Sequence, residues 1–222
     1  MNIDKKYYQE INENLTNTIQ DTNISAPNKK VGKVRDAYFL NDKVVMISTD
    51  RQSAFDRVLA AIPYKGAVLN SVSAWWFKKT EHLFPNHLIS TPDPNVSIVE
   101  KCTVFPVEFV VRGYITGTTD TSLWTVYNNG DREYCGNSLP EGLKKNDKLD
   151  KPMLTPTTKD KVHDRPVSRE EIIDLGLMSA EDYDLAAKMS LDLFAFGQET
   201  AKKNGLILVD TKYEIGTDSK GK

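Results

Sequence analysis

The chain of 222 residues is too long for a disulfide-stapled miniprotein and has the length of one large domain or two small lobes, at roughly 150 residues per domain. Its 39% hydrophobic and 27% charged residues, with 12 glycines and 10 prolines, exclude a disordered or collagen-like chain. A net charge of -2, from 29 basic and 31 acidic residues, points to neither a nucleic-acid nor a membrane-surface partner. Cys102 and Cys135 have no CxxC and no histidine at ligand spacing, which argues against zinc and for free thiols in a reducing cytosol. MNIDKKYYQEINENL has no apolar core behind its lysines, so no signal peptide is expected. No stretch approaches the ~20 apolar residues of a membrane span. These features lead to the expectation of a soluble, cytoplasmic protein.

Residues 4–20 carry Tyr7, Tyr8, Ile11, Leu15 and Ile19 at mostly helical spacing and predict an amphipathic helix. Residues 30–40 and 43–50 read as two strands joined by a turn at Asn41-Asp42. After Pro63 and Gly66, residues 67–84 predict a helix with Leu69, Val72, Trp76 and Leu83 on one side, and the pair Trp75–Trp76 is expected in the core. Pro85, Pro92 and Pro94 mark a loop, and residues 97–105 and 107–116 read as extended segments split by Pro106. Residues 119–128 predict a short helix. The stretch 129–167 reads as long and irregular, and such loops beyond ~12–15 residues are functional or disordered. Ser168 with Glu171, and Ser179 with Asp182, have capping-box spacing. The second opens a helix to about Asn204 that Gly205 stops, and residues 206–215 read as a buried strand. The order is β-rich first and mixed α/β second.

Gly32-Lys33-Val34-Arg35-Asp36 lets backbone N–H groups and an ammonium approach phosphates, although GxxxxGK[ST] is absent. A charged surface strand fits the same residues. Ser48–Arg57, directly after the apolar run VVMI, reads as a binding loop on a scaffold or as a turn with local side-chain bonds. Glu108 and Arg112, four apart in an apolar strand, share one sheet face. They form either an internal ion pair or a site where the planar arginine fork meets a phosphate or carboxylate, with Thr116-Gly117-Thr118 as further donors. Asp210, Lys212 and Glu214 also share one face. They suit an oxygen-loving cation such as Mg2+ beside a phosphorylated ligand, or a solvated edge. Together the motifs favour nucleotide or sugar-phosphate chemistry.

GKVRDAY, STDRQSAFD, IPYKG, PVEFVVRGYITG, SLPEGL, TPTTK and GLILVDTKYEIG follow one another between about residues 30 and 216. In that order they resemble the SAICAR synthetase (phosphoribosylaminoimidazole-succinocarboxamide synthase) family. The resemblance implies an α+β, two-lobed fold. Residues 1–105 would form a small β-rich, kinase-like N-lobe with the ATP phosphate loop. Residues 106–222 would form a larger α/β lobe with substrate and metal residues, and ATP would lie in the cleft. It implies an ATP- and Mg2+-dependent ligase that joins carboxyaminoimidazole ribotide (CAIR) to L-aspartate through an acyl phosphate in de novo purine synthesis, as a monomer or homodimer.

By the same resemblance, Gly32 and Lys33 lie nearest the ATP phosphates. The backbone around Cys102 and Val104 meets the adenine, and Lys159 reaches the nucleotide. Glu108, Arg112 and Thr118 hold the ribotide, the last two on its phosphate side, and Asp164 lies near the substrates. Lys212 acts at the substrate, while Glu214 and Asp210 bind magnesium and share the catalytic work with Lys212. Two departures stand out. The family's HDENIS is here His163-Asp164-Arg165-Pro166-Val167-Ser168. The family also continues past the last strand through a return strand and a closing helix, so a truncated form is expected. The alternatives are a nucleotide-binding form with little or no catalysis and a kinase-like phosphotransferase, the latter without HRD or DFG elements.

Overall fold

Short apolar runs separated by turns pair into hairpins, and the computed structural model describes residues 5–54, 57–159 and 165–221. The chain divides into two compact units, Met1–Cys102 with Asp218–Lys222, and Thr103–Thr217.

The first unit begins with α1 (Lys5–Glu13), shorter than the helix expected over 4–20. The following Asn- and Thr-rich residues are poor helix formers. Further on, Ile19 is held by Asp50, whose backbone N–H donates to the Ile19 carbonyl at 2.8 Å and whose carboxylate accepts the Ile19 N–H at 2.8 Å. Tyr7, Tyr8 and Ile11 consequently remain exposed. Residues 30–40 form no single strand. β1 (Lys29–Val31) turns through residues 32–34 into β2 (Arg35–Phe39), which turns at Asn41-Asp42 into β3 (Lys43–Ser48). β4 (Arg51–Ala54) and β5 (Arg57–Ala61) make a separate hairpin. After α2 (Lys65–Thr80), β6 (Leu88–Asp93) and β7 (Val96–Glu100) complete an antiparallel sheet ordered β1-β2-β3-β7-β6.

α2 turns a different face inward from the one its apolar spacing suggests. Its buried residues are Gly66 and Asn70, whereas Leu69, Val72 and Trp75 are exposed, Trp75 by 46%. A Cβ on Gly66 would stand 2.2 Å from the Ser48 carbonyl oxygen, so only glycine permits this approach. One turn on, the Asn70 amide donates to the Pro94 carbonyl at 3.0 Å and accepts from Ser97 Oγ at 2.7 Å. Close packing and polar satisfaction, not the apolar stripe, set the orientation. The Trp75–Trp76 pair is therefore an edge-on contact, 4.9 Å between centroids, on a partly exposed surface rather than a core element.

The second unit is organised around β8 (Thr103–Tyr114), one continuous strand through Pro106 rather than two segments split by it. Pro106 is tolerated because the ladder is irregular there: the partner strand shifts register opposite residues 104–108. Beyond α3 (Leu123–Asn128) and the small hairpin of β9 (Glu133–Tyr134) and β10 (Asn137–Ser138) come β11 (Lys148–Leu154) and β12 (Thr157–Thr158). Among the described residues, the expected irregular stretch thus contains four strands. β11 and β12 run antiparallel along one edge of β8. α4 (Arg169–Asp174) and α5 (Ala180–Lys203) follow, each opened as predicted, Ser168 closing a full capping box and Ser179 accepting from the Asp182 N–H. Gly205, at φ +69°, follows the end of α5.

β13 (Asp210–Thr217) pairs with β8 on its other edge, since Val111 is opposite both Leu154 and Thr211. The strand expected from residue 206 starts only at Asp210, and Leu206 and Ile207 are exposed. One face of this sheet is apolar: Val107, Phe109 and Val111 are fully buried, the first two in a core with Ile172, Tyr183 and Ala186 from α4 and α5. Each such side chain contributes about 1.5–3 kcal/mol on burial. The apolar face leaves the opposite one for polar groups. No helix among the described residues is long and apolar enough to cross a membrane.

Candidate active site

Alternation along β8 puts Glu108, Val110 and Arg112 on the face opposite Phe109. The register then places Glu214 opposite Glu108, Lys212 opposite Val110 and Asp210 opposite Arg112. On the other edge Thr157 faces Glu108, and the Thr155 N–H donates to the Val110 carbonyl at 2.7 Å. Three strands therefore present charged and hydroxyl groups on one face.

The partners come from neighbouring strands. Lys212 Nζ lies 2.8 Å from Glu108 Oε2, and Lys159 Nζ lies 2.7 Å from Glu214 Oε2. Arg112 Nε donates to Thr155 Oγ1 at 3.0 Å, and its Nη1 is 3.9 Å from Asp210 Oδ2. The internal Glu108–Arg112 pair open to the sequence is not the one formed. Glu108 is nearly buried, whereas Lys212 and Glu214 stand half-exposed, so a ligand can reach the second pair members. Arg112 is steered by Thr155, which is fully buried and passes its own proton toward the Val110 carbonyl at 3.3 Å.

The carboxylates fit magnesium only in part. Asp210 and Glu214 are four residues apart on one strand, about 13 Å at ~3.3 Å per residue, so they do not ligate one ion together. Among the described residues no three His, Cys, Asp or Glu side chains converge on a metal position. Glu214 beside Lys159 does suit the arrangement in which Mg2+ keeps waters, takes one carboxylate and fills its shell with phosphate oxygens.

In the first unit, Gly32 and Lys33 lie at the tip between β1 and β2. The Gly32 N–H donates to the Arg35 carbonyl at 2.8 Å, and a Cβ at position 32 would stand 2.8 Å from that same oxygen. The Ser48–Arg51 segment is no local turn, because its four residues are buried and bond to distant elements. The two Asp50 carboxylate oxygens accept from Gly66 and Ile19 N–H groups, and Lys65 Nζ donates to the Arg51 carbonyl. Cys102 is half-buried after β7 with its thiol toward the Glu100 carbonyl, 3.7 Å away, and Val104 is exposed on β8. Thr118 is exposed in the loop after β8. Asp164, with His163, and Phe55-Asp56 of the STDRQSAFD motif lie outside the described residues. Thr155 and Thr157 belong to the TPTTK motif, but TPTT carries no strand signal, so their places beside β8 are not legible in the sequence. Burial pushes the Cys135 thiol up to about 12, so it is not a nucleophile at neutral pH.

A family model described as SAICAR synthetase matches residues 28–222. A phosphoribosylaminoimidazole-succinocarboxamide synthase of Legionella pneumophila (strain Lens) is 57% identical over 204 residues, covering 92% of this chain and 65% of that protein. The chloroplastic enzyme of the same name from Arabidopsis thaliana is 57% identical over 216 residues, 95% of this chain and 53% of its own length. The chain thus spans less than two thirds of these relatives. Among solved structures, the SAICAR synthase of Saccharomyces cerevisiae complexed with SAICAR superposes with a TM-score of 0.78 at 30% identity, covering 91% of this chain and 73% of that one. A type-2 SAICAR synthetase in complex with ADP gives 0.72 at 26% identity, with coverages of 88% and 77%.

Proposed function

The chain belongs to the SAICAR synthetase family, and from that premise we propose that it carries the machinery of an ATP-dependent ligase joining CAIR to L-aspartate. The single observation that carries this reading is the polar sheet face of the second unit, where Glu108, Arg112, Asp210, Lys212 and Glu214 share one side. The structural relatives were solved with SAICAR and with ADP, the two organic products of this reaction, which supports the same chemistry here.

A carboxylate does not react with an amine, because the amine would have to expel oxide. In the proposed reaction a CAIR carboxylate oxygen attacks the ATP γ-phosphorus, and the bond to the β-bridging oxygen breaks to give ADP and an acyl phosphate. The neutral aspartate amine, having lost one proton to solvent or base, attacks the acyl carbon. The C–N bond forms, phosphate leaves, and a second proton is lost to give the amide SAICAR. Such transfers need positioning and charge neutralisation more than covalent chemistry.

Arg112, its fork oriented by Thr155, holds the ribotide phosphate together with Thr118. Lys212, fixed by Glu108, neutralises charge at the reacting carboxylate. By the family resemblance, Gly32 and Lys33 would serve the ATP phosphates, the backbone around Cys102 and Val104 the adenine, and Lys159 would reach the nucleotide. Glu214 would hold the magnesium that accompanies ATP, which would supply charge neutralisation during phosphoryl transfer. Asp210 keeps Arg112 in line rather than sharing that ion. A cytoplasmic, monomeric or homodimeric protein with small-molecule substrates completes the reading.

The test is ADP release measured with CAIR, with and without aspartate. Aspartate-dependent ADP formation is expected. ADP release that ignores aspartate would indicate a phosphotransferase, and ATP binding without turnover a nucleotide-binding form.

A further inference from the structure

Asp36 and Arg51 have no part in the reaction described above, yet both are buried, 0% and 8% exposed. Arg51 spends its guanidinium on the tip between β1 and β2. Nη2 donates to the Gly32 carbonyl at 3.0 Å and Nε to the Lys33 carbonyl at 3.3 Å. The next carbonyl, Val34, accepts from the Thr49 N–H at 3.0 Å and from Thr49 Oγ1 at 2.8 Å. Three consecutive carbonyl oxygens therefore turn toward residues 49–51. Residues 32–34 form the turn between β1 and β2, and these bonds hold its three carbonyls on one side.

The clamp is itself held. Arg51 Nη2 lies 2.6 Å from Asp36 Oδ1, and Nη1 donates to the Gln20 carbonyl. The second Asp36 oxygen accepts from Thr22 Oγ1 at 2.7 Å and lies 3.2 Å from Lys29 Nζ. A planar fork with donors in fixed directions can serve these acceptors together, and an ammonium on a flexible stem cannot.

We propose that Arg51, locked by Asp36, is a positioning residue that presets the Gly32–Val34 tip to receive the phosphate groups of a nucleotide. Carbonyl oxygens facing a phosphate would repel it. Drawing all three inward removes that repulsion and leaves the positive charge of Lys33 at the tip to meet the phosphate, while the Gly32 N–H stays bonded to the Arg35 carbonyl. The inference rests on the reading of this hairpin as the phosphate loop, and it adds the residue that shapes it.

Arg51→Lys keeps a positive charge opposite Asp36 but removes the fork. Two measurements on the full chain decide the matter: hydrogen exchange of the amides in residues 29–39, and the Kd for Mg·ATP by calorimetry. The expected result is exchange at least about tenfold faster in the hairpin, with a Kd at least about tenfold weaker, the scale of losing hydrogen bonds from a charged donor. The amides of β3 and β7 should keep their protection. Should Arg51→Lys lose protection throughout, Thr49→Val decides instead; it deletes only the hydroxyl donor to Val34 and should shift both readouts in the same direction by less. Unchanged hairpin exchange overturns the clamp. Faster hairpin exchange with unchanged Kd reduces it to a structural pair and overturns the positioning role. Lys33→Ala separates the two ideas. If it leaves Mg·ATP binding unaltered, or the wild-type chain binds none, the phosphate-loop reading fails and the positioning role fails with it. If Lys33→Ala weakens binding and Arg51→Lys does not, the loop reading stands and this inference alone fails.

Discussion

Lys212 and Glu214 project from one strand toward the same side, each within 2.8 Å of an opposite charge on a neighbouring segment. Lys212→Ala leaves the nearly buried Glu108 carboxylate without its cation, and Glu214→Ala leaves Lys159 without its anion. Each substitution is expected to lower kcat/KM for SAICAR formation at least ~100-fold, the scale of losing one preorganised electrostatic group. Near wild-type turnover in either would refute the role assigned to it. Thr155 gives a sharper test, because its hydroxyl touches Arg112 rather than any substrate. Thr155→Val should raise the KM for CAIR about tenfold, as expected for one hydrogen bond to a charged group, while Thr155→Ser restores it. An equal fall in kcat with unchanged KM would count against an orienting role. The charged members of this set were legible because a period of two places Asp210, Lys212 and Glu214 together. Thr155 was not, because its importance depends on which strand lies beside it.

Among the elements, α2 depends on a carboxylate outside its own sequence. Its N-cap residue Tyr64 sits in the left-handed region at φ 63° and makes no side-chain cap. Asp50 Oδ1 accepts the Gly66 N–H at 2.9 Å instead, while Oδ2 takes that of Ile19. Asp50→Ala should therefore cost about 1–3 kcal/mol, chiefly from the buried Gly66 N–H left unsatisfied, with the part-buried Ile19 N–H adding less, read as a lower urea midpoint with the slope unchanged. A change below a few tenths of a kcal/mol would show that the two N–H groups find other partners. The caps of α4 and α5 were legible because serine and an acid three residues on are local chemistry. The face of α2 was not, because Gly66 and Asn70 are buried by what β3 and β7 present to them.

For the whole molecule, two groups in the first unit shape the acid side of the stability curve. Burial, and then the positive charge of Arg35, hold the His87 pKa below its ordinary 6.5. The folded state thus prefers neutral imidazole: His87's contribution is complete above about 6.5 and is lost as pH falls through its lower folded value. Burial alone would raise the Asp36 carboxyl, but hydrogen bonds from Arg51, Thr22 and Lys29 outweigh it and hold the pKa below 3.8. Its contribution persists above about 3.8 and disappears only as pH falls through that depressed value. Melting temperature is therefore expected to fall in two stages, one starting below about pH 6.5 and one below about pH 4. His87→Gln should remove the first and Asp36→Asn should weaken the second. Asp21, Glu141, Glu171 and Asp184 add to that second stage, also held below their ordinary values by hydrogen bonds from Lys29, Arg132, the Ser168 backbone and Arg169 respectively. A wild-type melting temperature flat between pH 7 and 5 would remove His87 from this account.

By itself the sequence determined what is local or periodic: the caps of α4 and α5, the Asn41-Asp42 turn, the shared face of Asp210, Lys212 and Glu214, and the family, whose ordered motifs span most of the chain. Only the tertiary structure decided the partners. Glu108 meets Lys212 rather than Arg112, Arg112 meets Thr155, and Arg51 meets the carbonyls of Gly32 and Lys33. The physical reason is that strand pairing brings together residues far apart in sequence, 43 for Arg112 and Thr155, and its register is set by burial of the apolar sheet face. No local pattern in either partner encodes that register.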